Sequence, residues 1–208
     1  MFIGNSLTYY NGMPEYLDQM LKATHQRVHI ETSTFPGMSL ADHLDNVIEA
    51  KTENGIRTRK KQPNEQTETE VKILSRKWDV IVLQEGTIRL LIPEARKYSV
   101  NTAIEKIKKL NNNLNTAFIL FKTWPSKHKY PEQFCYRSSM IDPSIQKPSC
   151  CSAKIKDVEE EFALLSAAYD STAAATQIGK IEVGQKHYKI IGSPQEVMMS
   201  GKKPQPRG

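Results

Sequence analysis

The chain has 208 residues, of which 38% are hydrophobic and 25% are charged, as expected for one globular domain with a sizeable core. No apolar run approaches the roughly 20 residues that a membrane-spanning helix needs, so no membrane span is predicted. The formal net charge of +6 does not predict a nucleic-acid partner, because the densest basic run, residues 57–61, contains no aromatic residue and is expected to be an exposed loop.

Short apolar runs predict the strands. Residues 79–83 (DVIVL) and 116–121 (TAFILF) are continuous apolar runs, as expected of parallel strands that are buried on both faces. Further strands are predicted at 1–3, 28–34 and 180–183. Because the chain begins inside the first strand, we expect it to be a piece of a longer sequence. Its cellular location is therefore left open: cytoplasmic, or exported if a targeting segment precedes it.

Helical spacing of apolar residues alternates with these strands. The predicted helices lie at 13–21, 40–48, 71–74, 103–110 and 155–169. This alternation predicts a single α/β domain over residues 1–208, with a parallel sheet covered by helices on both faces. Two stretches interrupt the alternation. Residues 51–70 are predicted to be a polar insertion, and residues 124–152 a long loop.

The cysteines leave the redox state open. Cys150 and Cys151 are adjacent and are not expected to bond to each other, because that geometry is strained. Cys135 could bridge to either of them in an exported protein, or all three could be reduced thiols. Their spacing does not match a zinc site.

Parallel α/β sheets bind ligands beyond the carboxyl ends of their strands, so the residues that follow each predicted strand are the candidate site. Ser6, at a helix start after the first strand, is either a nucleophile beside backbone N–H groups or a simple helix cap. Gly37 either lets the backbone approach a ligand or forms a plain turn. Gln84 is either an amide donor to an oxyanion or a polar strand end. Trp124 either lines a substrate pocket or packs in the core.

Taken in order, these segments resemble the SGNH hydrolases, the GDSL-type esterases and lipases. Residues 2–8 (FIGNSLT) resemble the nucleophile block, in the branch written G-N-S-L/F-T. Residues 36–40 (PGMSL), followed by His43, resemble the glycine block. Residues 79–87 (DVIVLQEGT) resemble the third block, with the L-Q-E motif of that branch. The resemblance extends over nearly the whole chain.

The resemblance implies a flavodoxin-like three-layer α/β/α sandwich in which Ser6 attacks a carbonyl ester. The oxyanion hole would consist of the Ser6 and Gly37 backbone N–H groups with the Gln84 side chain. Asn5 and Trp124 are expected to contribute to substrate binding. Neither a metal ion nor a cofactor is expected.

The sequence departs from the family pattern in two places. Many members continue the third block as G-x-N-D, where this chain has Ile88 and Arg89. The late D-x-x-H motif is also missing, and alignment of the tail on residues 204–208 puts Ser200 at the aspartate position and Lys203 at the histidine position. The tail is altered or truncated, the domain has lost its activity, or Lys203 acts as the base in a Ser-Lys arrangement.

Two histidines offer alternative bases. His187 follows the last predicted strand, and surface exposure is the simpler interpretation of it. His43 follows the glycine block, where a role at the edge of the pocket competes with a packed or exposed helix position.

The sequence thus predicts a serine esterase or deacetylase of a small acyl ester, with an acetylated carbohydrate as one candidate substrate and with activity impaired by the missing acid–base pair. The alternative is a catalytically inactive domain that binds a glycan or an ester in the same pocket.

Overall fold

Within residues 1–52, 55–125 and 129–181, which the computed structural model describes, the chain forms nine strands and seven α-helices. The strands are β1 (Phe2–Gly4), β2 (Thr32–Thr34), β3 (Asn46–Thr52), β4 (Gly55–Lys60), β5 (Val80–Leu83), β6 (Ala117–Phe121), β7 (Cys135–Arg137), β8 (Ser149–Cys151) and β9 (Gly179–Ile181). The helices are α1 (Ser6–Tyr9), α2 (Met13–Ala23), α3 (Leu40–Asp45), α4 (Glu68–Leu74), α5 (Thr87–Leu91), α6 (Asn101–Leu110) and α7 (Val158–Thr176).

Five of the strands form one parallel sheet in the order β2-β1-β5-β6-β9. Phe2 of β1 pairs with Thr32 on one side and with Val82 on the other, and Val82 pairs with Ile119 of β6. The two apolar runs predicted as buried strands are therefore confirmed as the neighbours β5 and β6. Because all five strands are parallel, their carboxyl ends lie at one edge of the sheet, where ligands bind in such folds.

Helices cover both faces of this sheet. Successive strand residues point to opposite faces, so Ile3 and Leu83 enter a large core that also contains the buried sides of α6 and α7. Phe2 and Val82 enter a smaller cluster on the other face, against Leu17 of α2. The predicted three-layer α/β/α sandwich is confirmed.

Capping boxes begin two of the helices on the larger core. Ser39 and Asp42 exchange side-chain and backbone hydrogen bonds at the start of α3, and Thr67 and Glu70 do the same at the start of α4. A cap of this kind stabilises a helix by about 1 kcal/mol. Because Ser39 stands two residues after Gly37, its capping box also fixes the end of the glycine loop, residues 35–39 between β2 and α3.

The predicted helix over 40–48 is too long. Helix α3 ends at Asp45, and the β-branched residues Val47 and Ile48 lie in β3, paired with Arg59 and Thr58 of β4. The basic run at 57–61 is accordingly part of an antiparallel hairpin and not a loop. A β-branched pair is better accommodated in a strand than at a helix end, which explains the difference.

The stretch 124–152 contains a second small hairpin. Strands β7 and β8 pair antiparallel, and a disulfide joins Cys135 to Cys151 while Cys150 is a buried free thiol. Of the cysteine arrangements that the sequence left open, the structure has the Cys135–Cys151 bridge. The hairpin holds Tyr136 on β7, directly after the bridged Cys135.

The strand predicted at 28–34 is also shorter than expected. Only Thr32–Thr34 forms β2, because its partner β1 offers three residues before the chain turns at Asn5.

In the described ranges, no helix has the length and apolar character that a membrane crossing requires.

Candidate active site

Ser6 is the first residue of α1 and directly follows the turn at the end of β1. Asn5 precedes it with extended backbone, and the Asn5 Oδ1 atom accepts a hydrogen bond from the Leu7 N–H at 3.1 Å. The Asn5 side chain therefore provides the helix cap, which was one of the two roles considered for Ser6. The Ser6 hydroxyl is free of hydrogen bonds to any residue that the structure describes, and Ser6 lines a pocket.

Gln84 fixes this turn from below the surface. Its Oε1 atom accepts hydrogen bonds from the Asn5 N–H at 2.8 Å and from the Thr8 hydroxyl at 3.0 Å. Its Nε2 atom donates to the Glu85 carbonyl at 2.7 Å, and the side chain is completely buried. The oxyanion-donor role predicted for Gln84 does not fit this arrangement, because the amide points at backbone and not into the pocket.

The tight packing explains why glycine stands before Asn5. A Cβ atom on Gly4 would lie 2.5 Å from the Thr8 Oγ1 atom and 2.7 Å from the Gln84 Oε1 atom. Both distances are far shorter than a van der Waals contact. Gly4 thus lets the end of β1 lie against Gln84, and this contact sets the position of Ser6.

The glycine loop approaches Ser6 from the neighbouring strand β2. Gly37 has a φ of +67°, in the left-handed region that glycine adopts without strain, and a Cβ atom there would meet nothing within 4 Å. The Asn5 Nδ2 atom donates to the Met38 carbonyl at 3.2 Å and joins this loop to the Ser6 turn. Neither the Ser6 N–H nor the Gly37 N–H donates a hydrogen bond to another described residue.

One pocket of about 230 Å³ brings these segments together. It lies at the carboxyl edge of the sheet and is lined by residues 5–7, by Gly37 and Ser39, by residues 85–89, and by Tyr136 of the β7–β8 hairpin. Of the predicted site residues, Asn5, Ser6 and Gly37 therefore meet at one cavity.

Glu85 is a buried carboxylate in the wall of this pocket. Its Oε2 atom accepts from the Leu40 N–H at 2.9 Å, and its Oε1 atom accepts from the Gly86 N–H at 2.7 Å. Burial raises the pKa of Glu85 to about 7, while Arg89 and the two N–H donors act in the opposite direction. By bonding to both segments, Glu85 connects the start of α3, just after the glycine loop, to the end of β5.

Arg89 is the cationic group of the pocket. Its guanidinium lies 5.2 Å from the centre of the Tyr136 ring, and its Nη2 atom is 4.0 Å from the Asp42 Oδ2 atom. A long hydrogen bond of 3.4 Å runs from Nη1 to the Ser99 hydroxyl. The side chain is 16% exposed, so a mostly buried charged group lies in the wall of the pocket.

His43 is packed beneath the sheet edge and does not line the pocket. Its Nε2 atom lies 2.8 Å from the Gly4 carbonyl, which can only accept, so Nε2 carries the proton. Its Nδ1 atom then accepts from the Thr69 hydroxyl at 2.8 Å. Burial lowers the pKa of His43 to about 4. The packed position considered for His43 is confirmed, and its neutral ring supports the β1 end.

Two solved structures resemble the chain over most of its length. A candidate SGNH hydrolase from Slackia heliotrinireducens aligns with a TM-score of 0.52 and 19% identity, over 90% of this chain and 80% of that one. A DUF4886 family protein from Bacteroides uniformis ATCC 8492 aligns with a TM-score of 0.55 and 16% identity, over 88% of this chain and 66% of that one. The chain has the SGNH hydrolase fold.

The sequence itself gives no closer assignment. No protein-family model matches the chain, and no curated protein matches it. The chain spans 66% of the length of the DUF4886 protein. Since both structural identities are below 20%, the resemblance establishes the SGNH fold, and the chemistry has to be argued from the pocket.

The remaining predictions for the SGNH site concern Trp124 and residues outside the described ranges. Trp124 is not among the described residues that line the pocket. It follows β6 and packs against Phe2, Val82 and Phe121, on the opposite face of the sheet from the large core. Lys203 and Ser200, at the histidine and aspartate positions of the resemblance, lie outside the described residues, as does His187.

A larger surface depression of about 640 Å³ lies between α2 and residues 28–32. Among the residues described, none of those predicted to carry chemistry lines it. Volume therefore does not identify the site, whereas the convergence of Ser6 and Gly37 on the smaller pocket does.

Sequence reasoning assigned no role to Glu85, Arg89 or Tyr136. Glu85 belongs to the L-Q-E motif, and Arg89 stands where many SGNH members have aspartate, so both positions carried a signal. Tyr136 carried none, because it reaches the pocket only through the fold of the β7–β8 hairpin.

Proposed function

We propose that the chain is a serine carboxylic ester hydrolase of the SGNH type, acting on a small acyl ester. The observation that carries this proposal is the shared pocket of Ser6 and Gly37, which has an unbonded serine hydroxyl and backbone N–H groups without acceptors among the described residues. Ser6 is the nucleophile, and Asn5 holds both the serine turn and the glycine loop.

In the reaction, the Ser6 Oγ atom attacks the ester carbonyl and the carbonyl oxygen becomes an oxyanion. The Ser6 and Gly37 N–H groups donate to that oxygen, and removal of one such donor typically costs about 100-fold or more in rate. The alcohol then leaves with a proton, and water releases the acyl group from Ser6. Gln84 acts on this step as a positioning residue, through its bonds to Asn5 and Thr8.

The general base comes from outside the described residues in this proposal. Lys203 holds the histidine position of the resemblance and Ser200 the aspartate position. His43 is unsuitable as the base, because both of its ring nitrogens are already engaged by Gly4 and Thr69. A solvated lysine is mostly protonated at neutral pH and accepts the serine proton less often than a histidine supported by aspartate, so we expect slow turnover.

A second candidate is an inactive domain that binds the same ester or a glycan without cleaving it. The observation that favours it is the Ser6 hydroxyl itself, which has no acid–base partner among the residues that the structure describes. Both candidates bind the ester, but only the esterase hydrolyses it.

Hydrolysis of 4-nitrophenyl acetate tests the two candidates against each other. Wild type should hydrolyse the ester, Ser6→Ala should not, and Ser139→Ala should match wild type, since Ser139 is exposed on the β7–β8 hairpin. Hydrolysis that survives Ser6→Ala refutes the esterase. No hydrolysis by wild type, with equal ester binding by wild type and Ser6→Ala, supports the binding domain.

A further inference from the structure

Arg89 lines the Ser6 pocket, and most of its N–H groups donate no hydrogen bond to a described residue. A guanidinium carries five N–H groups. The residues described for this chain engage it through one long hydrogen bond to Ser99 and one ion pair with Asp42 at 4.0 Å. The side chain is 16% exposed, and a guanidinium buried to this extent is expected to have well-formed hydrogen bonds, so its unfilled donors point to a ligand in the pocket.

The neighbouring carboxylates are occupied by other donors. Asp42 Oδ2 accepts from the Ser39 N–H at 3.0 Å and from the Ser39 hydroxyl at 2.6 Å, within the capping box of α3. Both oxygens of Glu85 accept backbone N–H groups. Neither acid hydrogen-bonds to Arg89, although each lowers the positive potential around it.

Tyr136 forms an aromatic wall beside Arg89. The Arg89 guanidinium carbon lies over the Tyr136 ring, 5.2 Å from its centre, and Tyr136 belongs to the β7–β8 hairpin that the Cys135–Cys151 bridge closes. A cation–π contact uses no N–H donor, and the N–H edge of a guanidinium matches the two oxygens of a carboxylate.

We infer that Arg89 binds a carboxylate group of the ester that Ser6 attacks, so that the substrates are acidic esters. The inference rests on the proposed function, because it takes the Ser6 pocket as the substrate site. A carboxylate suits the pocket better than a phosphate dianion, since the neighbouring Asp42 and Glu85 carboxylates oppose a second negative charge.

Binding to an inactive protein tests the inference independently of catalysis. In the Ser6→Ala background, calorimetry compares 4-acetoxybenzoate with methyl 4-acetoxybenzoate, which differ only in the free carboxylate. We expect the acid to bind about tenfold or more tightly than the methyl ester, as a charge-assisted bidentate contact implies. Adding Arg89→Gln should remove this preference, and Arg89→Lys should retain part of it, because it keeps the charge but not the fork.

Lys97→Gln is the matched control, because it removes one exposed positive charge that does not line the pocket. It should leave the preference unchanged. Equal binding of acid and methyl ester, or a preference that survives Arg89→Gln in a folded protein, overturns the inference. If the acid binds more tightly but wild type does not hydrolyse 4-acetoxybenzoate, the esterase is refuted and the role of Arg89 stands. If wild type hydrolyses 4-acetoxybenzoate but binding shows no acid preference, the role of Arg89 is refuted and the esterase stands.

Discussion

Replacing Glu85 by glutamine removes the one buried carboxylate that connects the α3 start to the end of β5. Glutamine keeps the size of the side chain, but only its oxygen accepts, so either the Leu40 N–H or the Gly86 N–H loses its partner. This loss destabilises the fold by about 1–3 kcal/mol at every pH. The pKa of Glu85 is tested by a second effect, the change with pH in the difference between the free energies of unfolding of wild type and variant.

Burial raises the pKa of Glu85 from 4.5 to about 7. Between these values the folded protein holds a proton that the unfolded chain has released, so the free energy of unfolding falls as the pH rises. Each pH unit of this interval changes it by about 1.4 kcal/mol, and the whole interval amounts to about 3 kcal/mol. Above pH 7 the contribution is constant, because both states are ionised.

Urea unfolding of wild type and Glu85→Gln at pH 5, 6, 7 and 8 measures this difference. Relative to the variant, wild type should lose about 2–3 kcal/mol between pH 5 and pH 7 and little more by pH 8. Glu15→Gln, which removes an exposed carboxylate from the first turn of α2, is the matched control for the loss of one carboxylate. A wild-type advantage over Glu85→Gln that is flat or grows with pH would refute the assignment of Glu85 as a buried acid.

Three further predictions concern the support of the site. Gly4→Ala should destabilise the protein by about 1–3 kcal/mol in urea unfolding and slow ester hydrolysis, because the new Cβ lies 2.5 Å from the Thr8 Oγ1 atom. His43→Gln should reveal the opposite pH effect to Glu85: because the pKa of His43 falls from 6.5 to about 4, wild type should lose about 3 kcal/mol relative to the variant as the pH drops through that interval. The double variant Cys135→Ser, Cys151→Ser should lower the free energy of unfolding by about 3 kcal/mol, since the bridge closes a loop across 16 residues.

The sheet could be predicted from the sequence because its signal is local. The runs at 79–83 and 116–121 have the continuous apolar composition of strands buried on both faces, and they form β5 and β6. The β3–β4 hairpin was missed because Val47 and Ile48 continue the helical spacing of α3. Their place in a strand depends on pairing with β4 across the turn, which periodicity does not contain.

The candidate site was likewise predictable only in part from the sequence. Ser6 and Gly37 could be predicted because each stands just after the end of a strand. They lie close together because β1 and β2 are neighbours in the sheet. Gln84 and Glu85 are adjacent, and the sequence does not tell which one faces the pocket. The fold turns Gln84 toward Gly4 and leaves Glu85 in the pocket wall. Tyr136 lies at the pocket because the pairing of β7 with β8 places it there, which no local pattern in the sequence indicates.

The most direct test of the account is labelling of the folded protein with a fluorophosphonate, followed by mass spectrometry of the intact chain and its peptides. Such reagents modify serines that are activated for attack. We predict one adduct, located on Ser6 and absent from Ser6→Ala. A folded protein that takes up no reagent, or that carries the adduct on another serine, would contradict the assignment of Ser6 as the nucleophile.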